Sequence, residues 1–203
     1  MTMSTPTPSP TPPSNAAVEL HTERLRLRPV HDGDAPALLA IFSDPETMRY
    51  WSAPPWTSID QAHAMIERDR SAMAAGEHLR LAIERRDDGA LIGLCTLFHL
   101  NAACRRAEVG YVLARPAWGR GHMNEALRAL LHHGFTAMSL NRIEADIDPR
   151  NRGSAASLER LGFTREGHLR ERWIVGDEVS DSWLYGLLRR EWEAMKMSGS
   201  GDR

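Results

Sequence analysis

The chain has 203 residues and a mass of 22.7 kDa, and 42% of its residues are hydrophobic and 26% charged. This length suffices for one domain with a hydrophobic core that needs no disulfide or structural metal. The 25 Lys and Arg residues nearly balance the 27 Asp and Glu residues, which argues against a strongly basic nucleic-acid binder. Cys95 and Cys104 are too few for a disulfide framework and predict a cytoplasmic protein. The longest apolar run, 90–100, is too short to cross a membrane.

The two ends of the chain differ in composition from its middle. Residues 1–17 are rich in Pro, Ser and Thr, and they lack the basic start and apolar stretch of a signal peptide. We expect a disordered tail there, because proline removes backbone donors and favours extended conformations. Residues 197–203 predict a flexible C-terminal tail, which leaves 18–196 as a single predicted domain.

Hydrophobic periodicity predicts strands and helices in an irregular alternation along this domain. In chain order, we expect a strand at 24–28, a helix capped by Asp34, a helix from Ser58, strands at 79–84, 91–100 and 107–113, a long helix from about Gly119, a strand at 142–148, a short helix from Asn151 to Gly162, and strands at 163–175 and 179–188.

Local motifs indicate how these elements begin and connect. Ser58 and Gln61 form a capping-box pattern, and Asp87-Asp88-Gly89 predicts a tight hairpin. The strand–helix–strand unit at 107–147 requires locally parallel pairing, whereas the hairpins require antiparallel pairing. The pattern therefore predicts a mixed sheet with helices on its faces.

The segment 108–122 carries the strongest functional pattern. A strand passes through Gly119 and Gly121 into a long helix, and unpaired backbone N–H groups at such a helix start favour phosphate oxygens. A nucleotide-hydrolysing loop would need Gly-Lys followed by Ser or Thr, but Gly121 is followed by His122 and Met123. A dinucleotide fold would place its glycines after the first strand. Both alternatives are therefore disfavoured.

Four strings carry a resemblance to a known family: Glu108-Val109-Gly110-Tyr111, Trp118-Gly119-Arg120-Gly121, Asp148-Pro149-Arg150-Asn151-Arg152-Gly153-Ser154 and Leu158-Glu159-Arg160-Leu161-Gly162-Phe163. Together they resemble the GNAT acetyltransferase superfamily, and more narrowly its RimJ/RimL-type branch of ribosomal-protein N-terminal acetyltransferases. The resemblance implies an α/β fold with a mixed, mostly antiparallel central sheet, helices on both faces and a splayed parallel strand pair.

The same resemblance implies the reaction. The donor would be acetyl-CoA, and the acceptor would be a primary amine of a protein N-terminus or a small molecule. The amine would attack directly in a ternary complex, with no acyl-enzyme and no metal. The alternative is a non-catalytic module that binds CoA as a sensor or regulator. Homodimerisation through an exposed sheet edge is a further expectation, and no nucleic-acid or membrane partner is expected.

The resemblance also implies which residues hold the donor. The pyrophosphate would lie on the backbone amides of Trp118, Gly119, Arg120, Gly121, His122 and Met123. The pantetheine would lie along Tyr111, Val112 and Leu113. Asn151 would hydrogen-bond the pantetheine, and Ser154 would lie near the thioester sulfur. In one departure, Pro116 stands where the family carries a basic residue or Gln. Arg115 and Arg120 are the candidates to supply that phosphate contact.

Acetyl transfer to an amine needs a base, an oxyanion donor and an acid. Glu108 is the candidate base, and the alternative is that it pairs with Arg105 or Arg106. The Val112 N–H is the expected oxyanion donor. Leu158 stands where many members of the superfamily carry an acidic Tyr, so Ser154 is the candidate acid. The alternative for Ser154 is a structural bond at the helix start.

The aromatic residues and histidines leave further possibilities open. Tyr50, Trp51 and Trp56 either line the acceptor site or fasten their loop to the core. The tryptophans Trp173, Trp183 and Trp192 are expected to serve packing. None of the nine histidines shows metal-ligand spacing, so no metal is expected.

Overall fold

The structure, a computed structural model, describes residues 14–199. Its strands are β1 (Leu20–His21), β2 (Leu25–Arg28), β3 (Leu79–Arg85), β4 (Leu91–Asn101), β5 (Arg106–Leu113), β6 (Arg142–Ile147), β7 (Thr164–Val175) and β8 (Glu178–Leu188). Its α-helices are α1 (Ala35–Phe42), α2 (Pro45–Met48), α3 (Ile59–Ala74), α4 (His122–Thr136), α5 (Arg152–Arg160) and α6 (Arg189–Gly199).

The strands form one mixed sheet in the order β1-β2-β3-β4-β5-β6-β8-β7. Within residues 14–199, β5 and β6 are the parallel pair and every other neighbouring pair is antiparallel. The helix α4 makes the crossover between β5 and β6, as parallel pairing demands. The predicted mixed, mostly antiparallel sheet with one parallel pair is confirmed.

Two hydrophobic clusters cover the two faces of the sheet. Leu38 of α1 and Ile66 of α3 pack in one cluster with Val112 of β5. Leu130 of α4 packs in the other cluster with Leu97 of β4. Successive residues of a strand point to opposite faces, so β5 contributes side chains to both clusters. It is therefore covered on both faces at the centre of the molecule.

The local motifs behave as predicted except at two helix starts. The Ser58–Gln61 capping box is formed, and Gly89 adopts a φ of +69° in the β3–β4 hairpin. The side chain of Asp34 does not cap α1, because it accepts hydrogen bonds of 2.8 and 2.9 Å from the Arg28 guanidinium. The helix α4 begins at His122 rather than near Gly119.

The packed part of the chain extends beyond 18–196 at both ends. Asn15, within the predicted N-terminal tail, is buried. Its backbone N–H donates to the Met73 carbonyl of α3, and its side-chain amide donates to the His78 carbonyl just before β3. At the other end, the unpredicted helix α6 runs to Gly199 and buries Trp192 beside the Phe135 ring, with centroids 6.0 Å apart. The rest of the two predicted tails, 1–13 and 200–203, lies outside the described residues.

Candidate active site

Two clefts lie along β5 and α5. The first, of about 610 Å³, is lined by Glu108 and Tyr111 on β5 and by Ser154 on α5, and we call it the Glu108 cleft. The second, of about 680 Å³, is lined by Gly119, by Leu113 at the end of β5 and by Ser157 on α5, and we call it the Gly119 cleft. One elongated ligand can therefore follow these walls from one cleft to the other.

The gap between the clefts exists because β5 loses its partner β6 halfway along. The two strands pair at residues 106–108 and 142–144, and β6 continues its pairing with β8 up to residue 147. Strand β4 stays paired with β5 up to Leu113. The edge of β5 that faces away from β4 is therefore unpaired beyond residue 109.

The register of β4 and β5 decides which backbone groups face this gap. Ala114 donates to the Ile92 carbonyl at 2.8 Å, and bonded pairs alternate along an antiparallel ladder. Leu94 and Val112 are thus a hydrogen-bonded pair, so the Val112 N–H points toward β4. The expectation that Val112 supplies the oxyanion N–H is wrong for this reason. The N–H groups that face the gap belong to Tyr111 and Leu113.

The loop after β5 presents a run of unpaired backbone donors. Gly119 and Gly121 have φ values of +71° and +78°, so they turn the chain before α4 begins. Within residues 14–199, the N–H groups of residues 119–124 have no hydrogen-bond acceptor. The positive end of the α4 dipole adds to their field. This loop is built to hold an anion.

The predicted loop residues do not all contribute in the expected way. The backbone N–H of Trp118 donates to the Arg115 carbonyl at 3.1 Å, and its indole N–H donates to the Leu113 carbonyl at 2.6 Å. Its amide is therefore already paired, and the free run starts at Gly119. His122 is buried and its Nδ1 has no partner within the described chain. Met123 lines the Gly119 cleft.

Neither of the two arginines expected to contact phosphate lines the Gly119 cleft. The Arg115 guanidinium lies 3.4 Å from the Asp44 carboxylate and does not line the Gly119 cleft. Arg120 offers its carbonyl to the Arg24 guanidinium at 3.0 Å. Sequence reasoning missed Arg24, which comes from a segment almost a hundred residues upstream and lines this cleft.

A hydroxyl pair joins β5 to α5 at the bottom of the Glu108 cleft. The Tyr111 and Ser154 hydroxyls lie 2.6 Å apart, and the Ser154 N–H donates to the Asn151 side chain at 3.0 Å. Burial raises the pKa of Tyr111 to about 12, so the phenol keeps its proton at neutral pH. Leu158, which stands where many members of the superfamily carry an acidic Tyr, is fully buried and has no proton to donate. Tyr111 is the phenol that reaches this point instead.

Glu108 contacts a histidine that the sequence did not indicate. Its carboxylate lies 3.1 Å from Nδ1 of His99, and its side chain keeps 28% of its surface exposed. Pairing with Arg106 does not occur, because Arg106 bonds Glu144 at 2.8 Å. His99 has a φ of +50°, at a ladder irregularity between Phe98 and Asn101 that directs its ring toward Glu108.

The aromatic residues divide between the cleft and the core. Tyr50 and Trp51 line the Glu108 cleft, whereas Trp56 stacks on Phe42 with centroids 4.4 Å apart and does not line it. Trp173 also lines this cleft and is 40% exposed, so its expected packing role is not its only one.

The tip of the β7–β8 hairpin closes one side of the same cleft. Arg150 bonds both Asp148 and Glu178, each at 2.5 Å, and its guanidinium lies 5.7 Å from the Tyr50 ring centre. Burial works to raise the pKa of Asp148, but the hydrogen bonds from Arg150 outweigh it and lower that pKa. Arg150 thus connects three walls of the Glu108 cleft.

Comparison with known proteins agrees with this geometry. The family model described as "Acetyltransferase (GNAT) domain" matches residues 24–164. The chain belongs to the GNAT acetyltransferase family. It is 37% identical over 173 residues to "Uncharacterized N-acetyltransferase p20" of Bacillus licheniformis, which covers 85% of this chain and 97% of the relative.

Two further relatives of this GNAT chain have more specific names. The solved structure of Mycobacterium smegmatis RimJ in complex with CoA-disulfide superimposes with a TM-score of 0.79 at 27% identity, covering 93% of this chain and 97% of RimJ. Spermidine N(1)-acetyltransferase of Vibrio cholerae is 26% identical over 163 residues, covering 78% of this chain and 89% of the relative. The expected similarity to the RimJ/RimL branch is confirmed.

Membership of the GNAT family makes this chain an acyl-CoA-dependent N-acetyltransferase with acetyl-CoA as its donor. The unpaired amides of the Gly119 cleft and the open edge of β5 suit a pyrophosphate followed by a pantetheine chain. Among residues 14–199, His, Cys, Asp and Glu side chains form no group of three or more that could hold a metal ion. In the same range, the helices are too short or too polar to cross a bilayer.

Proposed function

We propose that this acetyltransferase acts on a primary amine that enters through the Glu108 cleft while acetyl-CoA lies along β5 from the Gly119 cleft. The observation that carries the proposal is the position of Glu108. Its carboxylate lines the Glu108 cleft. On the same strand, the unpaired edge at Tyr111 and Leu113 leads toward the Gly119 cleft. The base and the thioester can therefore meet at the gap.

The proposed reaction is a direct transfer. Glu108 takes a proton from the acceptor ammonium, and the neutral nitrogen attacks the acetyl carbonyl carbon. The Tyr111 N–H stabilises the oxyanion, because it faces the gap on the unpaired side of β5. The attacking nitrogen then releases its second proton to water, and the carbon–sulfur bond breaks as the amide forms. The Tyr111–Ser154 hydroxyl pair donates a proton to the CoA thiolate and recovers one from water.

The proposed donor contacts follow from the same geometry. The pyrophosphate binds the amides of residues 119–123, and the pantetheine runs beside Tyr111 and Leu113. Asn151, at the start of α5, already orients the Ser154 N–H and is placed to reach the pantetheine with its remaining amide donors. Val112 supports the gap only by packing, since its backbone is paired with β4.

The acceptor class is argued from the charge of the cleft. The cleft is lined by four carboxylates (Glu108, Asp146, Asp148 and Glu178) and three guanidinium groups (Arg49, Arg150 and Arg172). Arg150 pairs with Asp148 and Glu178, and Arg172 approaches Asp146 only to 3.7 Å, so Glu108 and Asp146 are the less neutralised carboxylates. These two carboxylates favour a cationic amine, such as a polyamine or a peptide N-terminus. The name of the V. cholerae spermidine N(1)-acetyltransferase is consistent with a polyamine as one such acceptor.

We also propose a cytoplasmic, single-domain enzyme. Both cysteines are free, which suits a reducing compartment where acetyl-CoA is made. Self-association through β7, the edge strand that carries exposed Trp173 and Ile174, is proposed as the route to a homodimer.

An acceptor screen tests the proposed function. Release of free thiol from acetyl-CoA is measured with spermidine, amino acids, aminoglycosides and short peptides, and each peptide is compared with its N-acetylated form. We expect turnover on at least one free primary amine and none on its blocked form. Donor binding without turnover on any amine in the panel would support the non-catalytic CoA-binding alternative instead.

A further inference from the structure

The Arg24 guanidinium lies directly against the loop that precedes α4. Its Nε donates to Glu125 at 2.6 Å and its Nη1 to the Arg120 carbonyl at 3.0 Å. Its Nη2 lies 3.5 Å from the position that a Cβ on Gly121 would occupy. Within the described part of the chain, Nη2 has no acceptor. Arg24 therefore keeps free donors beside the unpaired amides of the loop.

Glu125 holds this arrangement in place from the first turn of α4. Its carboxylate accepts from the Thr22 hydroxyl at 2.6 Å and from the Arg24 backbone N–H at 2.8 Å, in addition to the Arg24 side chain. Burial works to raise the pKa of Glu125, but these hydrogen bonds outweigh it and lower that pKa. The carboxylate is thus ionised and fully engaged, so Arg24 is fixed at the loop before any ligand arrives.

We propose that Arg24 binds the pyrophosphate of acetyl-CoA together with the loop amides, and so supplies the cation that Pro116 removes from the loop itself. This inference rests on the proposed placement of the pyrophosphate at residues 119–123. Arginine suits the task, since its planar fork donates several hydrogen bonds at once and phosphate accepts them in pairs. Arg115 pairs with Asp44, and neither Arg115 nor Arg120 lines the Gly119 cleft, whereas Arg24 does.

The test compares Arg24→Ala with Arg26→Ala. Arg26 is a matched control: it belongs to the same segment, its side chain is 40% exposed against 47% for Arg24, and it also pairs with a glutamate. Calorimetric titration with CoA gives the dissociation constant without any acceptor. We expect Arg24→Ala to raise it roughly tenfold to a hundredfold, as for a lost charge-assisted hydrogen bond, with Arg26→Ala close to the wild type. An unchanged dissociation constant in Arg24→Ala would overturn the proposal.

Donor fragments separate phosphate binding from a general structural role. Loss of Arg24 should weaken CoA and 3′-dephospho-CoA by the same factor, because both contain the pyrophosphate. With S-acetylpantetheine, which lacks it, kcat/KM should stay within about twofold of the wild type. Arg24→Lys, which keeps the charge, should recover part of the CoA affinity. An equal loss of kcat/KM with S-acetylpantetheine, or a loss of affinity confined to CoA itself, would contradict a pyrophosphate contact.

The wild type distinguishes failure of this inference from failure of the proposed function. If wild-type protein binds neither CoA nor acetyl-CoA, the placement of the donor is wrong and the role of Arg24 falls with it. If wild-type protein binds CoA and Arg24→Ala binds it equally well, only the inference about Arg24 fails. Thermal melts of the three variants without ligand check that each is folded.

Discussion

The hydroxyl of Tyr111 lies 2.6 Å from that of Ser154, and this contact joins β5 to α5 in the wall of the Glu108 cleft. Burial raises the pKa of Tyr111 to about 12. A phenol that stays protonated at neutral pH can donate to a departing thiolate. We propose that the pair takes the place of the tyrosine acid that Leu158 cannot provide.

Replacing Tyr111 by Phe removes this donor while keeping the ring. We expect kcat to fall about tenfold to a hundredfold, toward the low end of general-acid effects, because a thiolate leaves readily. The rate is measured by thiol release under saturating acetyl-CoA. Tyr185→Phe is the control, since its buried hydroxyl bonds Glu159 away from both clefts and its loss should leave kcat unchanged. Equal rates for Tyr111→Phe and the wild type would exclude the acid role.

Gly119 tests the loop without disturbing the core. An added Cβ meets nothing within 4 Å there, but φ is +71°, so alanine costs about 1 kcal/mol of stability. The methyl group would also occupy space beside the pyrophosphate, so we expect KM for acetyl-CoA to rise severalfold.

Gly89 offers a matched control for that substitution. It has a φ of +69° and equally open surroundings in the β3–β4 hairpin, and it lines neither cleft. Gly89→Ala should lower the melting temperature as much as Gly119→Ala and leave KM unchanged. A KM that rises equally in both variants would show that strain alone, and not contact with the donor, explains the effect.

The buried ion pair of Arg28 and Asp34 fixes α1 against the sheet. The two side chains are 8% and 5% exposed, and Asp34→Ala leaves the guanidinium with Glu84 as its carboxylate partner. Because Glu84 still compensates the charge, we expect a loss of about 1.5–3 kcal/mol in the free energy of unfolding at pH 7, measured by urea denaturation. Asp32→Ala, on an exposed pair with Arg70, should cost less than about 1 kcal/mol.

The same pair predicts a dependence of stability on pH. Burial works to raise the pKa of Asp34, but hydrogen bonds from Arg28 and the His31 N–H outweigh it and lower that pKa. A depressed carboxyl pKa contributes stability above the unfolded value of about 3.9 and loses that contribution as pH falls through the folded pKa. The difference between wild type and Asp34→Ala should therefore shrink below about pH 4. A constant difference down to pH 2 would contradict this account.

The fold followed from the sequence wherever the signal was local. Strict alternation located β2 and β6, and the Asp87-Asp88-Gly89 turn located the β3–β4 hairpin. Helix α6 was missed because its short polar pattern follows directly on β8, and its burial of Trp192 against Phe135 depends on tertiary contact. Asp34 was expected to cap a helix, but a buried arginine from another element took its carboxylate.

The candidate site divides in the same way. Gly119 and Gly121 were expected from the strand–loop–helix order of their segment, whereas the roles of Glu108 and Ser154 were expected from the resemblance to the GNAT superfamily. The contact of Glu108 with His99 depends on a strand irregularity, and that of Arg24 with the loop joins residues far apart in sequence. The direction of the Val112 N–H depends on which opposite residues of β4 and β5 form the hydrogen-bonded pairs. The alternation of polar and apolar side chains in the sequence does not determine this.

Replacement of Glu108 by Gln tests the central claim most directly, with Glu144→Gln as the control. Glu144 is the register partner of Glu108 on β6 and has the same 28% side-chain exposure, but it lines neither cleft. We measure thiol release against pH and the rise in melting temperature caused by acetyl-CoA. Glu108→Gln should slow turnover about a hundredfold, most at low pH where fewer amines are neutral, with an unchanged thermal shift. Turnover equal to that of Glu144→Gln at every pH would contradict the assignment of Glu108 as the base.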